Sequence, residues 1–64
     1  MLGKYLKRHR LKENLSQSEM AALIGTSQAY YSQIESGART PGIRMIRRIS
    51  EAIGVEASTL RDML

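Results

Sequence analysis

The stretch Leu15–Gly37, LSQSEMAALIGTSQAYYSQIESG, limits what this chain can fold into more than any other. It reads as two short helices joined by a tight corner. Ser16, followed three residues later by Glu19, has capping-box spacing. In that arrangement each side chain bonds the other residue's backbone N–H, so two otherwise orphaned donors are satisfied. Met20, Leu23 and Ile24 then recur at the helical period and predict one inward stripe. Gly25 stops the first segment where a left-handed residue is needed, because glycine has no Cβ to clash. Thr26 spans the corner, and Ser27 supplies the next N-cap oxygen. The second segment points Tyr31 and Ile34 inward and ends at Gly37 in the same way. Ala21 lies one turn before Gly25, where any side chain larger than a methyl would hold the two helices apart.

Two helices crossing steeply over a short glycine-containing turn form a helix-turn-helix. The spacing resembles that of the phage-repressor (Cro-like, or Xre-type) family of DNA-binding proteins. That pattern has a glutamine opening the first helix, a small residue four later and a glycine four after that. Apolar residues follow six and nine beyond the glycine. Gln17, Ala21, Gly25, Tyr31 and Ile34 meet it here. The resemblance runs from about Leu2 to Leu60. It implies an all-α, compact five-helix domain of the lambda-repressor-like type. Residues 1–64 would be a single DNA-binding domain with its motif at about 17–36.

The outer bounds agree with that expectation. A chain of 64 residues is one small domain, near the lower size at which a core alone supports folding. Without cysteine there is neither a disulfide framework nor a thiolate metal site, so aliphatic side chains must supply the core. No apolar run is long enough to cross a membrane. The basic N-terminus lacks the apolar segment of a signal peptide, so a cytoplasmic protein is expected. Met1 reads as a true start, whether of a minimal regulator or of the DNA-binding piece of a longer one.

The net charge is +4 and unevenly spread. Residues 1–48 carry nine Lys/Arg against Glu13, Glu19 and Glu35, whereas residues 49–64 carry Arg61 against Glu51, Glu56 and Asp62. Such an imbalance suits ordinary solubility, but beside the motif it points to a polyanion on one side of the fold.

In chain order, Leu2–Glu13 reads as the first helix, with Leu2 and Leu6 one turn apart, Tyr5 beside them and Lys4, Lys7, Arg8 and Lys12 on the wetter face. Asn14 replaces the family's usual glycine and suits a left-handed cap. His9 stands where an aliphatic residue is more typical; as the chain's sole histidine it is expected to pack rather than to ligate. Ile43 opens the fourth helix, with Ile43, Ile46, Ile49 and Ile53 as its core stripe and Ala52 beside it. Gly54 ends that helix, and a fifth follows from about Ala57 with Leu60 buried. Gly42 and Glu56 stand where the family favours hydroxyl caps; Gly42 gives the fourth helix a weaker cap, whereas the Glu56 carboxylate can still favour the dipole of the fifth.

The resemblance assigns roles to particular positions. Arg10 falls where the family carries an arginine paired with a glutamate of the second motif helix, here Glu35, implying an at least partly buried ion pair. Base contacts are expected from Gln28, Ala29, Ser32 and Gln33. A glutamine amide bonds adenine N6 and N7, and a methyl suits thymine. Residues near the start of the second helix reach base edges in docked proteins of this kind. Phosphate contacts are expected from Gln17, at a helix N-terminus, and from Tyr30, turned away from the core. Arg39, Thr40 and Arg44, in and just beyond the Pro-containing loop, complete that set, and Arg47 and Arg48 are read as peripheral. Leu60, Met63 and Leu64 are expected to contact a second copy.

Together these features imply a transcriptional regulator specific for double-stranded DNA, a repressor binding a two-fold operator as a homodimer. Within the same chemistry the alternatives are an antitoxin, which would travel with a toxin or other second protein, and a restriction-modification controller. A protein-interaction module that has lost DNA binding is the alternative from another class. No nucleophile–base pair, metal cluster or phosphate-cradling glycine loop suggests an enzyme, and no cofactor is expected.

Overall fold

The computed structural model describes residues 1–64 as five helices and no strands. They are α1 (Leu2–Lys12), α2 (Gln17–Ile24), α3 (Gln28–Ser36), α4 (Ile43–Ile53) and α5 (Ala57–Arg61). None is long and apolar enough to cross a membrane.

Local chemistry sets the boundaries. At the start of α2, Glu19 N–H donates to Ser16 Oγ at 3.0 Å and Ser16 N–H donates to Glu19 Oε1 at 2.8 Å, so both arms of the capping box form. At the start of α3, Tyr30 N–H donates to Ser27 Oγ at 3.1 Å. Gly25 and Gly37 both adopt φ 85°, the left-handed region that returns chain-end N–H groups to helix carbonyls. Gly25 N–H and Thr26 N–H both reach Ala21 O at 2.9 Å. Asn14 takes φ 58° just past α1, as its amide chemistry allows. The weak start at Gly42 is as expected, with no side-chain cap bond; Glu56 makes none either, and α5 is only five residues long.

The core lies where α1 and α2 pack on α3, α4 on α2, and α5 on α4. Leu6, Met20, Tyr31, Ile49 and Leu60 are wholly enclosed, with Leu2, Ala21, Ile24, Ile34 and Ile46 nearly so. His9 is half-buried, in keeping with a packing role.

Three apolar expectations are corrected. Leu23 is 61% exposed, because Met20, Ala21 and Ile24 define the inward stripe of α2 and Leu23 lies about 100° from its middle. Ile43 is 64% exposed: the stripe of α4 is centred on Ile46 and Ile49 with Met45, Ala52 and Ile53 at its edges, and the first residue of the helix points off that arc. Leu60, expected to meet a second copy, has no exposed surface and completes the core of its own chain.

Gly3 shows why α1 can lie so close to the motif. A Cβ built there would stand 2.2 Å from Glu35 O and 2.8 Å from Ile34 O. The last turn of α3 therefore presses its carbonyls against the bare backbone of α1. Gly3→Ala gains up to about 1 kcal/mol of helix propensity. The clash with fixed backbone outweighs it, for a net destabilisation of about 1–3 kcal/mol, read from the denaturant midpoint in urea. An unchanged midpoint would show that α1 can step aside freely.

Candidate nucleic-acid interface

Tyr31 and Ile34 anchor α3 by burial, at 0% and 2% exposure, and thereby fix which sides of the helix face solvent. Gln28, Ala29 and Gln33 are exposed and Ser32 is half-buried. These four sequence-selected side chains share the outer part of one nine-residue helix.

The one carboxylate on α3 is withdrawn from that surface. Arg10 Nε donates to Glu35 Oε2 at 2.7 Å and Arg10 Nη2 to Glu35 Oε1 at 3.2 Å, a bidentate pair whose side chains are 10% and 5% exposed. Gln17 Nε2 donates to Glu35 Oε1 at 3.1 Å, and the Tyr31 hydroxyl donates to Glu35 Oε2. Arg10 Nη1 also donates to Leu15 O at 2.9 Å, which ties down the α1–α2 connection. The expected Arg10–Glu35 pair is thus the centre of a four-residue network reaching all three of the first helices.

The titration behaviour follows from this geometry. Burial works against the ionised form of Glu35, but bonds from Arg10, Tyr31 and Gln17 outweigh it and hold the carboxyl below its usual range. Burial pushes the Tyr31 phenol upward, and the adjacent Glu35 adds to that, so the hydroxyl stays protonated and able to donate. The Glu35 contact raises Arg10 against the opposing effect of burial.

Around α3, basic groups are exposed. Arg39 lies in the loop after Gly37, and its backbone N–H donates to Gln33 O at 3.1 Å. Its guanidinium carbon is 5.9 Å from the centre of the Tyr30 ring, within cation–π range. Tyr30 itself is half-buried and packs against the core edge, a correction to the expectation that it turns away: four residues before Ile34, it lies only about 40° around α3 from that buried side chain. Thr40 and Arg44 are exposed, Arg44 on the first turn of α4. Gln17 opens α2 but is half-buried, with its amide engaged on Glu35, leaving backbone N–H groups as the free donors at that end.

Two contributors escaped the sequence reading. Arg48 Nη1 donates to Gly25 O at 3.1 Å, so a residue read as peripheral ties α4 to the corner of the motif. Gly3 permits the close approach described above. Its signal was available, since glycine inside an amphipathic helix is costly and asks for a packing reason.

Arg10→Ala would leave Glu35 buried with only Gln17 and Tyr31 as donors, and is expected to cost about 3 kcal/mol in urea unfolding. A loss no greater than that of an exposed control such as Arg47→Ala would overturn this. The pH dependence has a definite sign. A carboxyl held below its ordinary 4.5 contributes stability that is fully present above that pH and is lost as pH falls through the lower, folded-state value. The acid limb of the parent's stability curve should therefore be steeper than that of Glu35→Gln. Parallel limbs would assign acid unfolding to other carboxylates.

Residues 6–60 match the helix-turn-helix family. The chain is 36% identical over 56 residues to an uncharacterized HTH-type transcriptional regulator, YqaF, of Bacillus subtilis, covering 88% of this chain and 74% of that protein. It is 35% identical over 63 residues to the control protein C.BamHI of Bacillus amyloliquefaciens, covering 97% of this chain and 78% of that one. Among solved structures, it superposes on the master regulator for biofilm formation SinR, crystallised in complex with DNA. That match has a TM-score of 0.84 at 32% identity and covers 97% of this chain and 100% of the other.

Proposed function

This chain belongs to the Cro-like (Xre-type) helix-turn-helix family of transcriptional regulators, and we propose that it binds double-stranded DNA in a sequence-specific manner, as a repressor that covers a promoter. The observation that carries the reading is the burial of Glu35. With that carboxylate neutralised inside the Arg10–Gln17–Tyr31 network, the outer side of α3 offers Gln28, Ala29 and Gln33 without negative charge. A bare carboxylate there would repel phosphate. A buried and paired one leaves the surface to hydrogen-bonding amides, which read base edges in the major groove.

Gln28 and Gln33 read bases, with Ser32 and the Ala29 methyl beside them. Arg39, Thr40, Arg44 and Tyr30 grip phosphates, and the Tyr30 ring holds the Arg39 guanidinium in place. Gln17 contributes through its backbone N–H, since its side chain is occupied. One copy of so small a domain reads a half-site, so the working form is a two-fold dimer whose α3 helices lie about 34 Å apart. Met63 and the exposed Leu64 are its contact, Leu60 being enclosed. The similarity to C.BamHI, a control protein, supports a second reading as the controller of a restriction-modification system. This chemistry is the same, and only the operator's location differs.

Gln28→Ala should relax preference at one base position and cost about 1–3 kcal/mol on the preferred site. Arg39→Ala should weaken all duplexes alike and reduce the salt slope by about one unit. Selection of bound fragments from random duplexes, followed by binding titrations across salt, reads both. Uniform weakening by Gln28→Ala would refute the assignment of base contacts, and an absence of two-fold symmetry in the selected sites would refute the dimer.

A further inference from the structure

The outer face of α1 is unexplained by DNA binding through α3. From Met1 to Lys12 the chain carries Lys4, Lys7, Arg8, Arg10 and Lys12 and no acidic residue. Arg10 is consumed by Glu35. Lys4, Arg8 and Lys12 stand at i, i+4 and i+8, all exposed, and no carboxylate lies within ion-pair distance of any of them. Like charges at i, i+4 destabilise a helix, and a positive charge in the first turn opposes the helix dipole. The two repulsions and the placement of Lys4 therefore work against α1, offset in part by Lys12 in its last turn.

Its direction is set by two contacts. Gly3 abuts the carbonyls of α3, and Arg10 reaches Glu35 on the same helix. At about 100° per residue, Lys4, Arg8 and Lys12 lie roughly 100–180° around α1 from Gly3. They face away from α3. Between the charges are two shallow clefts that share Tyr5 and Arg8: one continues to His9 and Lys12, the other to Lys4, the exposed Met1 and Met63, where this face borders the surface assigned to the second copy. Tyr5 with Met1 and Met63 thus gives the strip of cations an apolar border at its N-terminal end.

We propose that this face docks an acidic amphipathic helix of a protein partner, independently of DNA held by α3. Charge complementarity selects the class. Carboxylates at i, i+4 and i+8 of a helix repeat at about 6 Å, the same rise as the ladder. The apolar border favours a peptide with a hydrophobic stripe over a phosphate backbone, which has nothing to bury there.

The probe is a synthetic helical peptide with glutamates at i, i+4 and i+8 beside a leucine stripe, titrated into the isotope-labelled chain and followed by NMR. Saturable shifts confined to Lys4–Lys12, unchanged in Gln28→Ala, are expected. Arg8→Glu replaces two repulsions by two attractions, so its melting temperature should equal or exceed the parent's. Its peptide affinity should fall by about tenfold or more, as should that of the parent for a peptide with glutamine in place of glutamate. Shifts on α3 and the Arg39 loop, no saturation, or equal binding by either control would overturn the proposal. So would displacement of the peptide from α1 by random duplex DNA, which would assign this face to nucleic acid. A failure here leaves the selection experiment on α3 untouched, because the two faces are read by separate residues.

Discussion

Glu35 holds one carboxylate where three helices meet. Arg10 approaches from α1, Gln17 from α2, and Tyr31 from the preceding turn of α3. In water each of these groups would be satisfied by solvent, and the gain from joining them would be small. Inside the domain the balance differs: with little access to water, losing any one donor leaves the charge undercompensated. The network therefore acts as a geometric specification as much as a source of stability. Its four members are satisfied together only when the three helices stand at one mutual arrangement, and no buried polar side-chain atom is left unpartnered.

That arrangement determines what α3 can present. Tyr31 is enclosed on one side with its phenol kept protonated by burial, so it remains a donor to Glu35 over the range in which proteins work. The same anchoring turns Gln28, Ala29 and Gln33 outward. Arg39 lies over the Tyr30 ring, and its backbone N–H bonds Gln33 O, so two contacts join the basic loop to the polar helix. A surface built in this way combines two requirements of duplex recognition: positive charge at the edges for phosphates and uncharged hydrogen-bonding groups at the centre for bases.

Close approach is the complementary constraint. Gly3 lets α1 lie directly on the α3 carbonyls, while Ala21 is enclosed at 1% exposure where α2 turns toward the corner. Arg48 closes the same corner from α4, its Nη1 donating to the backbone oxygen of Gly25. In a domain with so few core residues, small side chains at crossing points govern helix spacing as strongly as the large ones that fill it.

Much of this was legible in the linear chain. Ser16 with Glu19, Ser27, Asn14, Gly25 and Gly37 act within a few residues of themselves, so their consequences follow from local backbone chemistry. Family spacing added Arg10–Glu35, a pair that local rules could not have found across 25 positions. Leu23 and Ile43 show where the reading stopped. Hydrophobic period locates a stripe but not its centre, which depends on where neighbouring helices lie. The recruitment of Gln17 and Tyr31 to Glu35, the reach of Arg48 to Gly25, and the enclosure of Leu60 were decided by tertiary structure alone, because each depends on distances between segments remote in sequence. The sequence by itself determined the helices and their ends, because caps and periodicity act over a few residues; only the packing of those helices decided which polar groups are spent holding the fold and which are left facing solvent.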